Sequence, residues 1–178
     1  MHIVGTKFKG LKIVQQKKFQ DSRGSLRETF RKKIVKWDDL IFDYATISKK
    51  NVLRGFHFNS KFPQAKFVTV LKGKILDYVL DLRKKSKTFG KSFSIILSET
   101  NCKSLYIPEG FAHAYYSFSK SNIIYYKLSK YYEPKFESGI LWNDKNLKFK
   151  WPTNKPALAK RDKNWGTFED FKKKYKGL

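Results

Sequence analysis

Between residues 67 and 130 the chain alternates short runs of β-branched and aromatic residues with turn-forming clusters, and this rhythm restricts the fold more than any other feature. Val, Ile, Thr, Tyr and Phe suit a pleated, half-buried surface, whereas Gly, Pro, Asn and Ser interrupt it. Residues 67–71 and 75–82 flank Lys72-Gly73-Lys74 and are expected to pair as a hairpin. Further strands are expected at 93–97, 104–107, 114–119 and 122–130, separated by turn signals such as Lys87-Thr88-Phe89-Gly90, Pro108-Glu109-Gly110 and Lys120-Ser121-Asn122. Short strands at such regular spacing predict a sandwich or barrel. Helical patterning is confined to 30–40, weakly, and to 167–174, where Thr167 and Asp170 offer a capping pair.

A chain of 178 residues suits one domain with a single core. With 16 Phe, 10 Tyr and 4 Trp it is too rich in bulky apolar side chains to remain disordered. The formal charge of +24 invites a nucleic-acid reading. Only six of the 39 basic residues are arginine, however (Arg23, Arg27, Arg31, Arg54, Arg83 and Arg161), and the lysines run along the whole chain instead of gathering in a tract. Nucleic-acid sites concentrate charge and favour the guanidinium fork, so a basic nucleic-acid or acidic-polymer binder is the weaker reading. The positive field would still attract an anionic ligand. The one cysteine, Cys102, has no intramolecular partner, residues 1–20 lack a signal-peptide core, and no apolar run approaches a membrane span. A cytoplasmic protein without membrane or nucleic-acid partners is expected.

Among all-β folds, the cupin-type jelly roll, a double-stranded β-helix, best fits this strand count and encloses a cavity. Many cupins hold a metal there through two histidines one residue apart, a carboxylate and a third histidine. Here Asn59 stands two residues after His57, and the only other histidines are His2 and His113, so a metal site is not expected. Acid–base chemistry is the alternative: Leu53-Arg54-Gly55-Phe56-His57, Lys66 and Tyr126 supply a base, a cation and a phenol. A carbon acid beside a ketone requires that set, one group to take the proton, one to hold the enolate oxygen and one to return a proton from the other face.

The ordered motifs Asp21-Ser22-Arg23-Gly24, Leu53-Arg54-Gly55-Phe56-His57, Pro63-Gln64-Ala65-Lys66, Asp81-Leu82-Arg83, Thr88-Phe89-Gly90, Tyr106-Ile107-Pro108-Glu109-Gly110-Phe111-Ala112-His113 and Tyr126-Lys127 resemble the dTDP-4-dehydrorhamnose 3,5-epimerase family. Tyr131-Tyr132, Ile140-Leu141-Trp142-Asn143-Asp144, Trp151-Pro152 and Asp162 continue the match over nearly the whole chain. The resemblance implies a metal-free jelly roll with short peripheral helices, needing no cofactor because the substrate ketone supplies the acidity. It implies a homodimer with exchanged N-terminal strands, and an isomerase acting on a dTDP-linked 4-keto-6-deoxy sugar. One domain over 1–178 is expected, with N-terminal strands and an exchange segment in 1–50, the jelly-roll core in 51–152 and a helical segment in 153–178.

The resemblance also assigns roles. His57 matches the base and Asp162 its carboxylate partner, Lys66 the cation for the O4 enolate, and Tyr126 the acid on the opposite face. Arg23 and Arg54 match diphosphate contacts, Tyr131 the ring that stacks on thymine, and Phe19 and Glu28 base contacts reaching across a dimer. His113 matches a sugar contact. Ala114-Tyr115-Tyr116 stands where the family commonly has Gly and apolar residues, a bulkier wall that bears on which sugar is accepted. Alternatives are a relative acting at C3 or C5 alone or on a CDP- or GDP-linked sugar, a 3,4-ketoisomerase of related fold, and the basic binding protein.

Overall fold

The computed structural model describes residues 1–178. Thirteen strands follow in order: β1 His2–Gly5, β2 Lys12–Gln15, β3 Lys18–Asp21, β4 Gly24–Arg27, β5 Phe42–Lys49, β6 Leu53–Asn59, β7 Lys66–Lys72, β8 Lys74–Asp81, β9 Ser92–Ser98, β10 Lys103–Ile107, β11 Phe111–Ser117, β12 Ser121–Leu128 and β13 Glu137–Gly139. One helix, α1 Phe168–Tyr175, closes the chain. A six-stranded sheet in the order β1-β2-β10-β7-β12-β5 faces a five-stranded sheet in the order β13-β6-β11-β8-β9, while β3 and β4 pair apart from both. This is the jelly roll expected from the strand rhythm.

The pairing around residue 73 differs from the expected hairpin. β7 bonds to β10 and β12, β8 bonds to β11 and β9, and the two sheets separate at Lys72-Gly73-Lys74. Gly73 makes the corner possible: its φ is +84°, and a Cβ there would lie 2.5 Å from Asn122 Oδ1. Residues 30–40 are not helical either. Ile34 and Val35 both donate to the Arg31 carbonyl, giving a single turn, and tertiary packing takes over from there. Phe30 meets Phe67 edge-on at 5.6 Å, Trp37 lies 4.6 Å from Tyr106, and Val35 is buried with them over the outer face of the six-stranded sheet. Burying those three side chains outweighs the weak propensity of a segment with adjacent β-branched residues. β1, β2 and β5, all before residue 51, are strands of the main sheet and not an appendage to it.

Period-two alternation decides what faces inward. Val68 and Val70 of β7, Ile75 and Val79 of β8, Phe111 and Tyr115 of β11, and Ile124, Tyr126 and Leu128 of β12 meet between the sheets. The alternate residues of β8 and β11, including Tyr78, Leu80, Ala112 and Ala114, pack on the other side under Phe168 and Phe171 of α1. The helix begins with the expected capping box, the Thr167 hydroxyl accepting from the Asp170 amide and the Asp170 carboxylate accepting from the Thr167 amide. Thr167→Ala is expected to cost about 0.5–2 kcal/mol in urea unfolding. An unchanged midpoint would show that α1 is held by its buried phenylalanines alone.

Candidate active site

One end of the sandwich remains open as a cavity of about 360 Å³. Its walls are the inward positions of the strands: Tyr44 and Thr46 of β5, Arg54 and His57 of β6, Lys66 of β7, His113 and Tyr115 of β11, and Tyr126 of β12. Alternation alone would point residues three apart, such as Arg54 and His57, to opposite faces. The β6–β11 register resolves this, for His57 pairs with His113 and Arg54 with Tyr115, so three steps on β6 match two on β11. The extra residue is a bulge that returns both side chains to the cavity. Gly55 permits it: φ is +123°, and an added Cβ would sit 2.4 Å from Ala114 Cβ.

His57 Nε2 lies 2.7 Å from Asp162 Oδ1, across 105 residues of sequence. Asp162 sits in a single 3-10 turn, Arg161–Lys163, with its side chain only 2% exposed. Its Oδ2 accepts from the Gly55 amide at 3.4 Å and its Oδ1 from Trp165 Nε1 at 3.3 Å. Burial alone would push this carboxyl up, but the hydrogen bonds from His57 and Gly55 and the charges of His57 and Arg161 bring it below the usual range. It is therefore a carboxylate and only accepts, so His57 Nε2 donates to it, and in the neutral imidazole the lone pair stands on Nδ1. Nδ1 has Glu137 Oε1 at 3.9 Å. Glu137 Oε2 in turn accepts from Tyr132 at 2.7 Å and from Arg161 Nη1 at 2.6 Å, which closes one side of the cavity with paired charge.

Lys66 belongs to the inward set of β7 with Val68 and Val70. Burial lowers its pKa, and the Glu137 and Asp77 carboxylates oppose that through charge. Tyr126 is 3% exposed, and Tyr44 stacks on it at 4.8 Å and 23°. Burial pushes both phenols up, so both are protonated. Neighbouring Tyr125 points outward and bonds Asp43, as the pleat requires. His113 is tied through Nε2 to buried Asp77 at 2.8 Å, while Asp77 Oδ1 has no partner. Burial raises the Asp77 pKa beyond what His113 and Lys66 recover. No three His, Cys, Asp or Glu side chains converge to hold a metal ion.

The structure thus gathers His57, Asp162, Lys66, Tyr126, Arg54 and His113 around one space. It does not bring the other residues singled out above into it. Tyr131 is 64% exposed with its ring against Phe42, outside the cavity, whereas the next residue, Tyr132, lines the wall. Phe19 and Arg23 lie on the β3–β4 hairpin, and Arg23 pairs with Asp21 in solvent. Glu28 pairs with Arg31. Glu137, Tyr132, Tyr44 and Asp77 escaped the sequence reading. Asp77 had left a signal, a carboxylate in phase with Ile75 and Val79 on the inward face of a core strand. Glu137 had left none, because the short β13 that carries it shows no alternation.

The cavity joins a histidine bonded to a carboxylate, a lysine and a buried phenol. The sequence profile described as dTDP-4-dehydrorhamnose 3,5-epimerase matches residues 5–170. The enzyme of that name from Methanothermobacter thermautotrophicus is 36% identical over 169 residues, 91% of either chain. The crystal structure of dTDP-6-deoxy-D-glucose-3,5-epimerase from Legionella pneumophila in complex with dTDP-4-keto-L-rhamnose superposes with a TM-score of 0.90 at 34% identity, over 94% of this chain and 93% of that one. A 3'-monoepimerase from Streptomyces bikiniensis with dTDP bound, solved as a double mutant, superposes at 0.89 with 25% identity, over 97% of this chain and 89% of that one. By profile, by identity along nearly its whole length and by fold, this chain belongs to the dTDP-4-dehydrorhamnose 3,5-epimerase family.

Proposed function

We propose that this isomerase converts dTDP-4-dehydro-6-deoxy-D-glucose into dTDP-4-dehydro-L-rhamnose by inverting C3 and C5. The observation that carries the reading is the His57–Asp162 contact of 2.7 Å in a cavity shared with Lys66 and Tyr126. The 4-keto group acidifies the hydrogens on both neighbouring carbons. His57 Nδ1 takes the proton, and Asp162 stabilises the imidazolium that results. The Lys66 ammonium meets the charge that develops on O4. Tyr126, protonated because it is buried, returns a proton to the opposite face; His57 then gives its proton to solvent, Tyr126 regains one from solvent, and the cycle repeats at the second carbon. Arg54 is the diphosphate contact and His113 a sugar contact, both on the cavity wall. The thymine is assigned to Tyr132 at the wall rather than to Tyr131.

The β3–β4 hairpin exposes Phe19 at 59% and Leu26 at 66%, more apolar surface than an isolated hairpin tolerates well. In this reading the hairpin docks on a second copy, where Phe19, Arg23 and Glu28 contact that copy's nucleotide. No helix is long and apolar enough to cross a membrane. A cytoplasmic homodimer using a nucleotide sugar fits these features.

Proton NMR of dTDP-4-keto-6-deoxyglucose with the protein in D₂O tests the reading. Solvent deuterium is expected at both C3 and C5. Incorporation at one carbon would make it a single-centre epimerase, a second reading supported by the likeness to the 3'-monoepimerase. Incorporation at neither would overturn the assignment to this sugar.

A further inference from the structure

Tyr44 stands beside the phenol that acts as the acid in the proposed function. β5 and β12 pair antiparallel with Tyr44 directly opposite Tyr126, and the two rings stack at 4.8 Å and 23°. Along β5 the less exposed positions are Phe42, Tyr44, Thr46 and Ser48, so period-two alternation brings Tyr44 to the cavity wall. Buried tyrosine hydroxyls usually find a partner. On this wall the Tyr115 hydroxyl is 2.8 Å from Ser48 Oγ and 3.0 Å from Thr46 Oγ1, and Tyr132 donates to Glu137. The Tyr44 hydroxyl has no such protein partner; burial and the neighbouring charges alone push its pKa up. A protonated phenol with no bond to the protein lines the cavity, and the mechanism above does not use it.

The placement of the two phenols matches what two inversions require. Tyr44 and Tyr126 belong to the six-stranded sheet, whereas His57 belongs to the five-stranded sheet across the cavity. A sugar ring held between the sheets therefore turns one face to the base and the other to both phenols. In the gluco chair the hydrogens on C3 and C5 are both axial and stand on the same face. One base on that side reaches both, but the replacement protons must arrive at two separate carbons on the other side. We propose that Tyr44 is a second catalytic acid, returning the proton at one of the two inverted carbons while Tyr126 returns it at the other. The inference rests on the proposed function and divides between two phenols the step assigned there to one. At each carbon a C–H bond breaks towards His57 Nδ1 and a new one forms with a phenol proton. The imidazolium then loses its proton to solvent, and the phenolate regains one from solvent. One phenol is ionised at a time, because charge on Tyr44 holds the proton on Tyr126. Two donors on one wall also spare the ring the shift that a single phenol would require between the two carbons.

Tyr44→Phe and Tyr126→Phe each keep the stacked ring and delete one hydroxyl. Incubated with dTDP-4-keto-6-deoxyglucose in D₂O, each is followed by proton NMR for deuterium entry and for configuration at C3 and C5. Tyr44→Phe is expected to slow inversion at one carbon about 10²-fold, the usual effect of losing a general acid, while the other inverts at close to the native rate. A singly inverted sugar then accumulates. At the blocked carbon His57 still removes and returns the proton, which labels that carbon without inverting it. Tyr126→Phe is expected to accumulate the sugar inverted at the other carbon. If Tyr44→Phe slows neither carbon, or slows both equally, the inference is wrong and Tyr44 only packs against Tyr126. If Tyr44→Phe fails to fold, Tyr126→Phe decides alone: inversion persisting at one carbon requires a second acid, and loss at both overturns it. A native enzyme that labels neither carbon would overturn the functional reading itself, so the two failures are distinct.

Discussion

His57→Gln is expected to lower turnover by about 10²- to 10⁴-fold and to abolish solvent deuterium entry at both C3 and C5. Glutamine preserves a donor of similar reach towards Asp162, whose Oδ1 now takes the Nε2 proton at 2.7 Å. What it removes is the Nδ1 lone pair; the other histidine of the wall, His113, is tied through Nε2 to Asp77. Glu137 Oε2 is engaged by Tyr132 and Arg161, which weakens it as a substitute. The comparison of exchange at the two carbons is the informative part. Loss at both would mean that one base serves both centres. Exchange persisting at either carbon would point to a second base and rule out the single-base mechanism. Binding of dTDP alone is expected to survive, because the phosphate and thymine contacts lie elsewhere on the wall.

Lys66→Met should separate activity from stability. Loss of the ammonium is expected to cost about 10²- to 10³-fold in kcat, the usual effect of removing a preorganised group facing a developing oxyanion. Stability at neutral pH is expected to rise or stay level, because burial lowers the Lys66 pKa, so the folded state disfavours the charge the chain carries there. The sign follows from proton counting. Between the lowered folded value and the ordinary unfolded value near 10.4, the unfolded chain binds more protons, and stability climbs with pH in that window. The Met variant should lack that climb. Urea midpoints measured from pH 7 to 10 decide it: an equal slope in both proteins would mean that Lys66 is solvated in the folded state. The pattern is that of a functional group kept at the expense of stability.

Asp162 responds at the opposite end of the scale. Its folded pKa is depressed, so its contribution is full above the unfolded carboxylate value near 3.9 and is lost as pH falls through the lower folded value. Acid therefore dismantles the dyad from the carboxylate side.

Particular elements show how far local pattern reaches. The run 122–130 announces its strand, and its alternation places Tyr125 and Tyr126 on opposite faces, as the structure has them. Alternation likewise puts Lys66 in phase with Val68 and Val70, and Asp77 in phase with Val79. The helix at the C-terminus is legible from Thr167 and Asp170, because a capping box is a contact over three residues. The segment 30–40 misled because its apolar spacing served docking onto Phe67 and Tyr106 and not a helix face. Tyr131 and Tyr132 are adjacent, and the irregular chain after β12 gives no period by which to choose between them.

The amino-acid order by itself determined the strands, their inward faces and, through its ordered motifs, the family. Those features are local or cumulative, and local sterics and side-chain period carry them. The tertiary structure alone decided that 67–72 and 74–81 part into different sheets, and that a bulge at Gly55 turns both Arg54 and His57 inward. It also decided that Asp162 arrives 105 residues later beside His57. Such pairings depend on loop closure and on how two sheets share one core, which are properties of the whole chain, and no short window of sequence contains them.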